Sequence, residues 1–384
     1  MQVCSSWHAV SHSELLWQNL TRRIWSRERR RLPTWRAEYA RCHRTGHNFR
    51  RRICVHSTLF FDPALSCRRL TLSDRHLAAG FVDGSVRLFD LSTAALLAAF
   101  LPHPGRDILG SFSQSISGVL LLNRSSRLVY ASQDGDIHVA PTRGNAMHAA
   151  RRVRVGNAVE DGALVDFVGR DSWWVGLFAG VPGRSFHVWN AETEELVYVG
   201  GYLTDPDAVV GWHMLTELAG PVGRIRFSDP ATVVGCTGSR MQVVGLDDPE
   251  AVLAEHEFRR GAAVDTLDAC EGRVVVVDGH GVAKVRVART MAEVCRFNTV
   301  RRRAAQQQQQ PAAGGRPVGC MNWGYTVLCC ADGAIRVWDA LTGEYLYSFR
   351  QRMLGAPGAA AADDRRLAVW CGETGLHLWD FDQL

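Results

Sequence analysis

Hydrophobic residues recur along this chain in short alternating or continuous apolar runs broken by tight polar turns, not in the 3.6-residue rhythm of helices. One unit repeats: an apolar run, a turn containing Gly, a second run ending on an aromatic or apolar residue, then a polar turn. The clearest copies are His76 to Phe100, Tyr325 to Phe349 and Arg366 to Asp382, and weaker ones begin at Arg127, Trp173, Thr232 and Arg273. Their turn glycines are Gly84, Gly135, Gly183, Gly238, Gly281, Gly333 and Gly375, roughly 42 to 55 residues apart, close to one four-stranded unit of a radial array plus its loops. Tight hairpins need positive φ, which Gly supplies without steric strain, and the pairs Asp83-Gly84, Asp134-Gly135 and Asp332-Gly333 are the strongest turn signals. Alternation in Val86-Arg87-Leu88-Phe89 and Ile335-Arg336-Val337-Trp338 predicts strands buried on at least one side.

Seven such units predict an all-β fold, a seven-bladed β-propeller occupying residues 53–384. Ring closure is legible too. The seventh unit stops at Leu384 without an outermost strand, while Ile53 to Phe61 is apolar, β-prone and has no blade of its own. Pairing the two removes both exposed edges. The endings Phe89-Asp90, Trp338-Asp339 and Trp379-Asp380, with Trp189-Asn190 as a variant, resemble the signature dipeptide of the WD-repeat family; in three units the aromatic position holds Ala140, Val244 or Arg286. Residues 301–317, rich in Arg, Gln, Ala and Gly, are low-complexity and predict a disordered surface loop.

Ahead of the repeats the rhythm changes. Val3, Trp7 and Val10 share one helical face, and Leu16, Trp17 and Leu20 form a second apolar group after a polar Ser-His-Ser break, predicting two short helices with a shared aromatic interior. By spacing alone, a generic helical hairpin packed on the propeller explains them equally well. The residues Val3-Cys4, Trp7, Leu16-Trp17 and Leu20 resemble the second half of an F-box, in which V-C-x-x-W is followed by L-W-x-x-L. The segment from Pro33 to Arg50 is similar to the basic helical connector that joins F-boxes to WD-repeat propellers. The combination resembles the plant F-box/WD-repeat proteins of the STERILE APETALA kind over nearly the whole chain. Three regions follow: 1–25, the C-terminal half of an F-box; 26–52, a basic helical linker; and 53–384, the propeller.

That resemblance implies a substrate adaptor in a Skp-cullin-F-box ubiquitin ligase. Val3, Cys4, Trp7, Leu16, Trp17 and Leu20 would meet the Skp-type subunit, and the propeller would hold a protein substrate, a transcriptional regulator. It also implies the nucleus, with the cytoplasm as a second location, and control of flower and organ growth. The first F-box helix, which normally opens with Leu-Pro, is not in the sequence, so the expectation divides: an upstream exon is missing, or docking is weak or lost. The competing reading is a scaffold or transcriptional co-regulator without ligase activity.

Composition adds an asymmetry. The chain has a net charge of +5, yet residues 1–70 hold fourteen arginines against Glu14, Glu28, Glu38 and Asp62, leaving a mildly acidic remainder. A solvated arginine-bearing helical face outweighs nucleic-acid binding as the explanation. Eleven scattered cysteines include no CxxC pair and fit a reducing compartment. Cys42, His43, His47 and Cys54 have only loose metal-ligand spacing and match no standard site, so neither metal nor cofactor is expected. With no nucleophile elbow, phosphate-cradling loop or HExxH, the chain reads as non-catalytic. No apolar stretch is long enough to span a membrane, so no membrane partner is expected. Lys284 is the only lysine, consistent with few self-modification sites in a ligase adaptor or with a codon bias towards Arg.

Overall fold

The computed structural model describes residues 4–25, 27, 30–102, 114–144, 150–204, 223–258, 264–299, 317–350 and 356–383. Most of the loop expected at 301–317 therefore lies outside the described residues, as does Val3.

Among the described residues, twenty-eight strands form seven antiparallel four-stranded sheets. Blade 1 runs from the inside outward through Cys67–Leu72, His76–Phe81, Val86–Asp90 and Leu96–Phe100. The inner strands of blades 2 to 7 are Ile116–Leu122, Ala163–Gly169, Arg224–Asp229, Val264–Cys270, Val318–Met321 and Pro357–Ala362. Blade 7 is completed from the other end of the chain: Val55–Phe60 pairs antiparallel with Gly375–Asp380, Val55 opposite Asp380 and Ser57 opposite Leu378. The seven-bladed count and the closure expected at residues 53–61 both hold.

The core lies between the blades. Each of the seven buried apolar clusters straddles one seam; Leu88 and Phe100 of blade 1, for example, meet Ile116 and Tyr130 of blade 2. The middle strands face a neighbour on both sides, so they are buried throughout, as in His76–Phe81 and Arg366–Cys371. A half-buried amphipathic strand would have kept a polar face.

The turn between the second and third strands has positive φ at Gly84 (85°), Gly135 (90°), Gly183, Gly281, Gly333 and Gly375. A Cβ at Gly84 would lie 2.8 Å from the Gln114 carbonyl oxygen, so space and backbone both demand glycine there. Gly238 departs from the expectation. It sits in the corresponding turn without positive φ, because that turn is closed instead by the Thr237 N–H donating to the Arg240 carbonyl at 2.8 Å.

Among the described residues three helices precede the ring: α1 (Ser5–Ser11), α2 (Glu14–Trp25) and α3 (Trp35–Arg51). The Thr34 hydroxyl caps α3 by accepting from the Ala37 N–H (3.1 Å), and Arg52, left-handed at φ 60°, ends it one residue before the chain turns towards the closing strand. A single turn, α4 (Ala158–Asp161), lies between blades 2 and 3. No described helix is long and apolar enough to cross a membrane.

Candidate interaction surfaces

The helical arm is bound to the ring by buried residues centred on Phe49 and by a belt of ion pairs. Phe49 is 1% exposed, its ring stacked 4.6 Å from Tyr325 and 4.1 Å from Phe381, at the seam of blades 6 and 7. Around it the Asn48 amide donates to the Phe381 carbonyl (2.9 Å), the Tyr325 hydroxyl to the Gly46 carbonyl (2.7 Å) and the Tyr347 hydroxyl to the Phe49 carbonyl (2.5 Å). Trp25 meets Trp323 edge-on at 5.7 Å.

Some of the arm's arginines are tied to carboxylates. Arg27 bridges Glu38 (2.8 Å) and Asp364 (2.5 Å), Arg31 reaches Asp74 (2.8 Å), Arg41 reaches Asp382 (2.6 Å) and Arg50 reaches Glu344 (2.7 Å). These pairs answer part of the charge split inside the molecule, while Arg22, Arg23, Arg36 and Arg51 are exposed with no ion pair among the described residues, so the arginine face expected to be solvated is only partly drawn onto the ring. Asp364, Asp74, Asp382 and Glu344 lie in turns brought to the arm from 43 to 341 positions away, which is why local reading missed them. Glu38, 1% exposed, organises the arm: it takes Arg27 on one carboxylate oxygen and the Arg31 and Leu32 amides on the other.

Of the expected F-box positions, Leu16, Trp17 and Leu20 lie half-buried on α2. The Trp17 indole N–H donates to the Ser11 carbonyl (2.8 Å), and its ring lies 4.9 Å from Tyr39 of α3. Cys4 is exposed at the start of α1; Trp7 belongs to α1, its side chain outside the described set. Val10, Leu15 and Ile24 remain exposed on these helices, Leu15 at 68%. Leu15 and Ile24 were missed because neither falls on the apolar face that spacing singles out. Cys42 and Cys54 do not converge: burial, with Arg27 opposing and Glu38 adding, pushes the Cys42 thiol up to about 11, while Cys54 packs at the seam of blades 6 and 7.

The repeat-signature residues have a structural task. Phe89, Trp189, Trp338 and Trp379 are all at most 3% exposed and lie opposite Leu77, Trp174, Thr326 and Leu367. A β-bulge immediately precedes this position in blades 1, 3, 4, 5 and 6. Ala140, Val244 and Arg286 occupy it in register, opposite Leu128, Val233 and Val274. The following residue caps the next turn: Asp90 accepts from the Ser92 and Thr93 amides, Asn190 from Glu192 and Thr193, Asp339 from Leu341 and Thr342. Asp380 accepts from the Asp382 amide and from Arg366 at 2.8 Å.

The bore of the ring holds a polar layer that the sequence reading did not find. Arg69 donates to Asp166 (3.0 Å) and to the Ser117 and Val165 carbonyls; Arg226 donates to Asp166 (2.8 Å) and pairs with Asp268 (3.2 Å). Asp166 also takes the Phe167 and Ile225 amides, and Asp268 takes the Met321 amide. Burial would raise the Asp166 carboxyl, but Arg69, Arg226 and Arg224 outweigh it and hold it at about 2. Below this layer a cavity of about 470 Å³ runs down the bore between the inner strands. A charged residue inside each of several apolar inner strands was the available signal.

Because the sheets are antiparallel, the glycine turns sit on the face opposite the turns that hold the arm. The inner strands begin on that glycine-turn face: the Gln133 N–H beside the Asp134-Gly135 turn donates to the Ser115 carbonyl, just before Ile116–Leu122. One face therefore carries the arm over blades 6 and 7 and the adjoining turn of blade 1, and among the described residues the other is clear of it.

Seven blades, a strand borrowed for closure and capped aromatic-Asp endings define a WD-repeat-type β-propeller, a scaffold that presents loops and a bore to other molecules. Along its whole length the chain is 46% identical, over 395 residues, to the Transcriptional regulator STERILE APETALA of Arabidopsis thaliana, 85% of which is covered. The chain belongs to the STERILE APETALA family. No protein-family profile matches it. Among solved structures it is similar to the computationally designed Ika8 protein, at TM-score 0.54 and 16% identity over 84% of this chain and 98% of that one, a likeness of fold alone.

Proposed function

We propose that the chain is a nuclear adaptor that joins a Skp-cullin-type ubiquitin ligase to a protein substrate, with α1 and α2 as the docking element and the arm-free propeller face as the substrate platform. The three-part division at residues 25 and 52 belongs to this reading. The observation that carries it is the arm itself: Phe49 and the ion-pair belt fix the helices to the ring, while Val10, Leu15 and Ile24 stay exposed on the outer pair. Buried anchors on one side and uncovered apolar residues on the other are what a rigid docking element needs. The relative's name adds transcriptional regulation, and a substrate among nuclear transcriptional regulators accounts for it.

Co-purification of the full chain with a Skp-type subunit tests the reading. The wild type should form a complex and Leu15→Asp should lose it with its propeller intact. If the wild type forms none, the second reading, a co-regulator that works through the propeller alone, takes its place.

A further inference from the structure

The outward side of α3 carries charge of one sign. Helical spacing divides the helix: Trp35, Glu38, Cys42, Thr45 and Phe49 are buried, while Arg36, Ala40, His43, Arg44, His47 and Arg51 are exposed on the opposite side. At about 1.5 Å per residue the exposed row runs roughly 22 Å from Arg36 to Arg51. No acid interrupts it, because Glu38, the one carboxylate of α3, is buried and taken by Arg27 and the Arg31 and Leu32 amides.

The ring answers little of this charge. Asp382 lies on the seated side of the helix, where Arg41 holds it at 2.6 Å and leaves Arg44 at 3.6 Å. Glu344 and Asp339 are taken by Arg50 at the last turn. Arg36 and Arg51 have no ion pair among the described residues. Neither do Arg22 and Arg23, exposed on α2, which packs on α3 through Trp17, Trp25 and Tyr39.

A face built for water mixes signs, because an acid four residues from a base stabilises a helix and like charges at that spacing oppose it. Here the acids that meet α3 lie on its seated side or at its end. A protein partner would need a buried apolar or aromatic anchor at the middle of its interface. None of the six outward residues is large and apolar; the arm's uncovered apolar side chains, Val10, Leu15 and Ile24, belong to α1 and α2. A single nucleic-acid strand would need open rings for its bases to stack on. Tyr39, the nearest ring, is already packed against Trp17, Trp25 and His43. What remains is a straight row of cations on a rigid element, the complement of the phosphate row of a duplex, and arginine forks grip phosphate oxygens at two points.

We propose that the outward side of α3 docks double-stranded DNA by its phosphate backbone, with Arg36, Arg44 and Arg51 as the contacts and Arg22 and Arg23 beside them. Phosphate contacts carry no sequence information, so the binding is independent of sequence. The choice of DNA among duplexes rests on the nuclear setting proposed above; the row itself owes nothing to ligase docking.

The test titrates the full chain into a labelled mixed-sequence DNA duplex of about twenty base pairs and follows anisotropy from about 50 to about 200 mM salt. Three to five phosphate contacts predict a slope of log affinity against log salt of roughly −2.7 to −4.5, a loss of about 40- to 500-fold across that range. Arg36→Gln and Arg51→Gln should each weaken binding and reduce the steepness of the slope by about one. Arg350→Gln removes the same charge from the glycine-turn face, where Arg350 meets Asp332 at 2.9 Å, and should leave both affinity and slope unchanged. All three positions are exposed, so the variants should melt with the wild type. No duplex binding at about 50 mM salt overturns the proposal. So do equal losses in Arg350→Gln and the row variants, or tighter binding of an RNA duplex, a single strand or polyglutamate. No ligase subunit takes part, so failure here leaves the adaptor reading standing, and failure of Skp-type docking leaves the DNA measurement unaffected.

Discussion

Truncating Phe49 should loosen the arm and weaken the ring together. The ring of Phe49 is almost wholly buried between Tyr325 and Phe381, and a Phe→Ala change at such a site costs about 3–5 kcal/mol in lost transfer energy and cavity. The two aromatic pairs account for roughly 0.5–1.5 kcal/mol each within that total. The Asn48 and Tyr347 hydrogen bonds use backbone carbonyls and survive the truncation, so the estimate counts the side chain alone. Against a typical net stability of about 5–15 kcal/mol, the loss is a third or more. Urea denaturation followed by tryptophan fluorescence should show a first transition earlier by that amount, and limited proteolysis should cut between residues 25 and 55. Phe49→Leu, which keeps most of the volume, should cost about 1 kcal/mol. A Phe49→Ala protein within about 1 kcal/mol of the wild type, its arm still protected, would refute the anchoring role.

Trp17→Ala should cost roughly 1.5–2.5 kcal/mol, about half the fully buried figure, because the side chain is half-exposed; circular dichroism should show helix loss with the propeller transition unmoved. Asp166→Asn should lower stability by about 3–5 kcal/mol, since it leaves Arg69 and Arg226 in the bore without their shared carboxylate; unchanged thermal denaturation would refute the layer's role. Burial pushes His377 down to about 4, with the adjacent His56 adding to the shift, and pushes His187 down to about 3. The unfolded chain then binds protons that the fold refuses, so stability is full above pH ~6.5 and falls as pH drops towards 4, by roughly 3 kcal/mol for His377 alone. His377→Asn should flatten that part of the urea-midpoint profile against pH, and an unchanged slope would count against it.

What could be read from the chain was whatever a blade states locally. Asp83-Gly84 and Trp338-Asp339 each specify a turn within a few residues, and the orphan run at Val55–Phe60 announced its partner because an unpaired edge is costly. Gly238 misled because a Thr-Gly-Ser-Arg turn can close through a threonine amide without left-handed backbone. The arm's arginines were recognised as a basic run but not as partners of Asp382 or Glu344, since nothing local distinguishes a guanidinium bound for water from one bound for a carboxylate about three hundred residues on. The bore failed to register for the same reason: Arg69, Asp166, Arg226 and Asp268 lie on four different strands and become a layer only when the ring closes.

Borrowing the first strand to finish the last blade sets a schedule for synthesis. The ribosome emits Val55–Phe60 well before its partner Gly375–Asp380 and the Phe381 half of the Phe49 slot. The blades between them can assemble while translation continues, but the helices ahead of the ring wait unmoored until Phe381 has been made. A chain cut short near residue 350 would lose its seal and its arm's foothold at one stroke, and so would carry an exposed strand edge that cellular quality control can recognise.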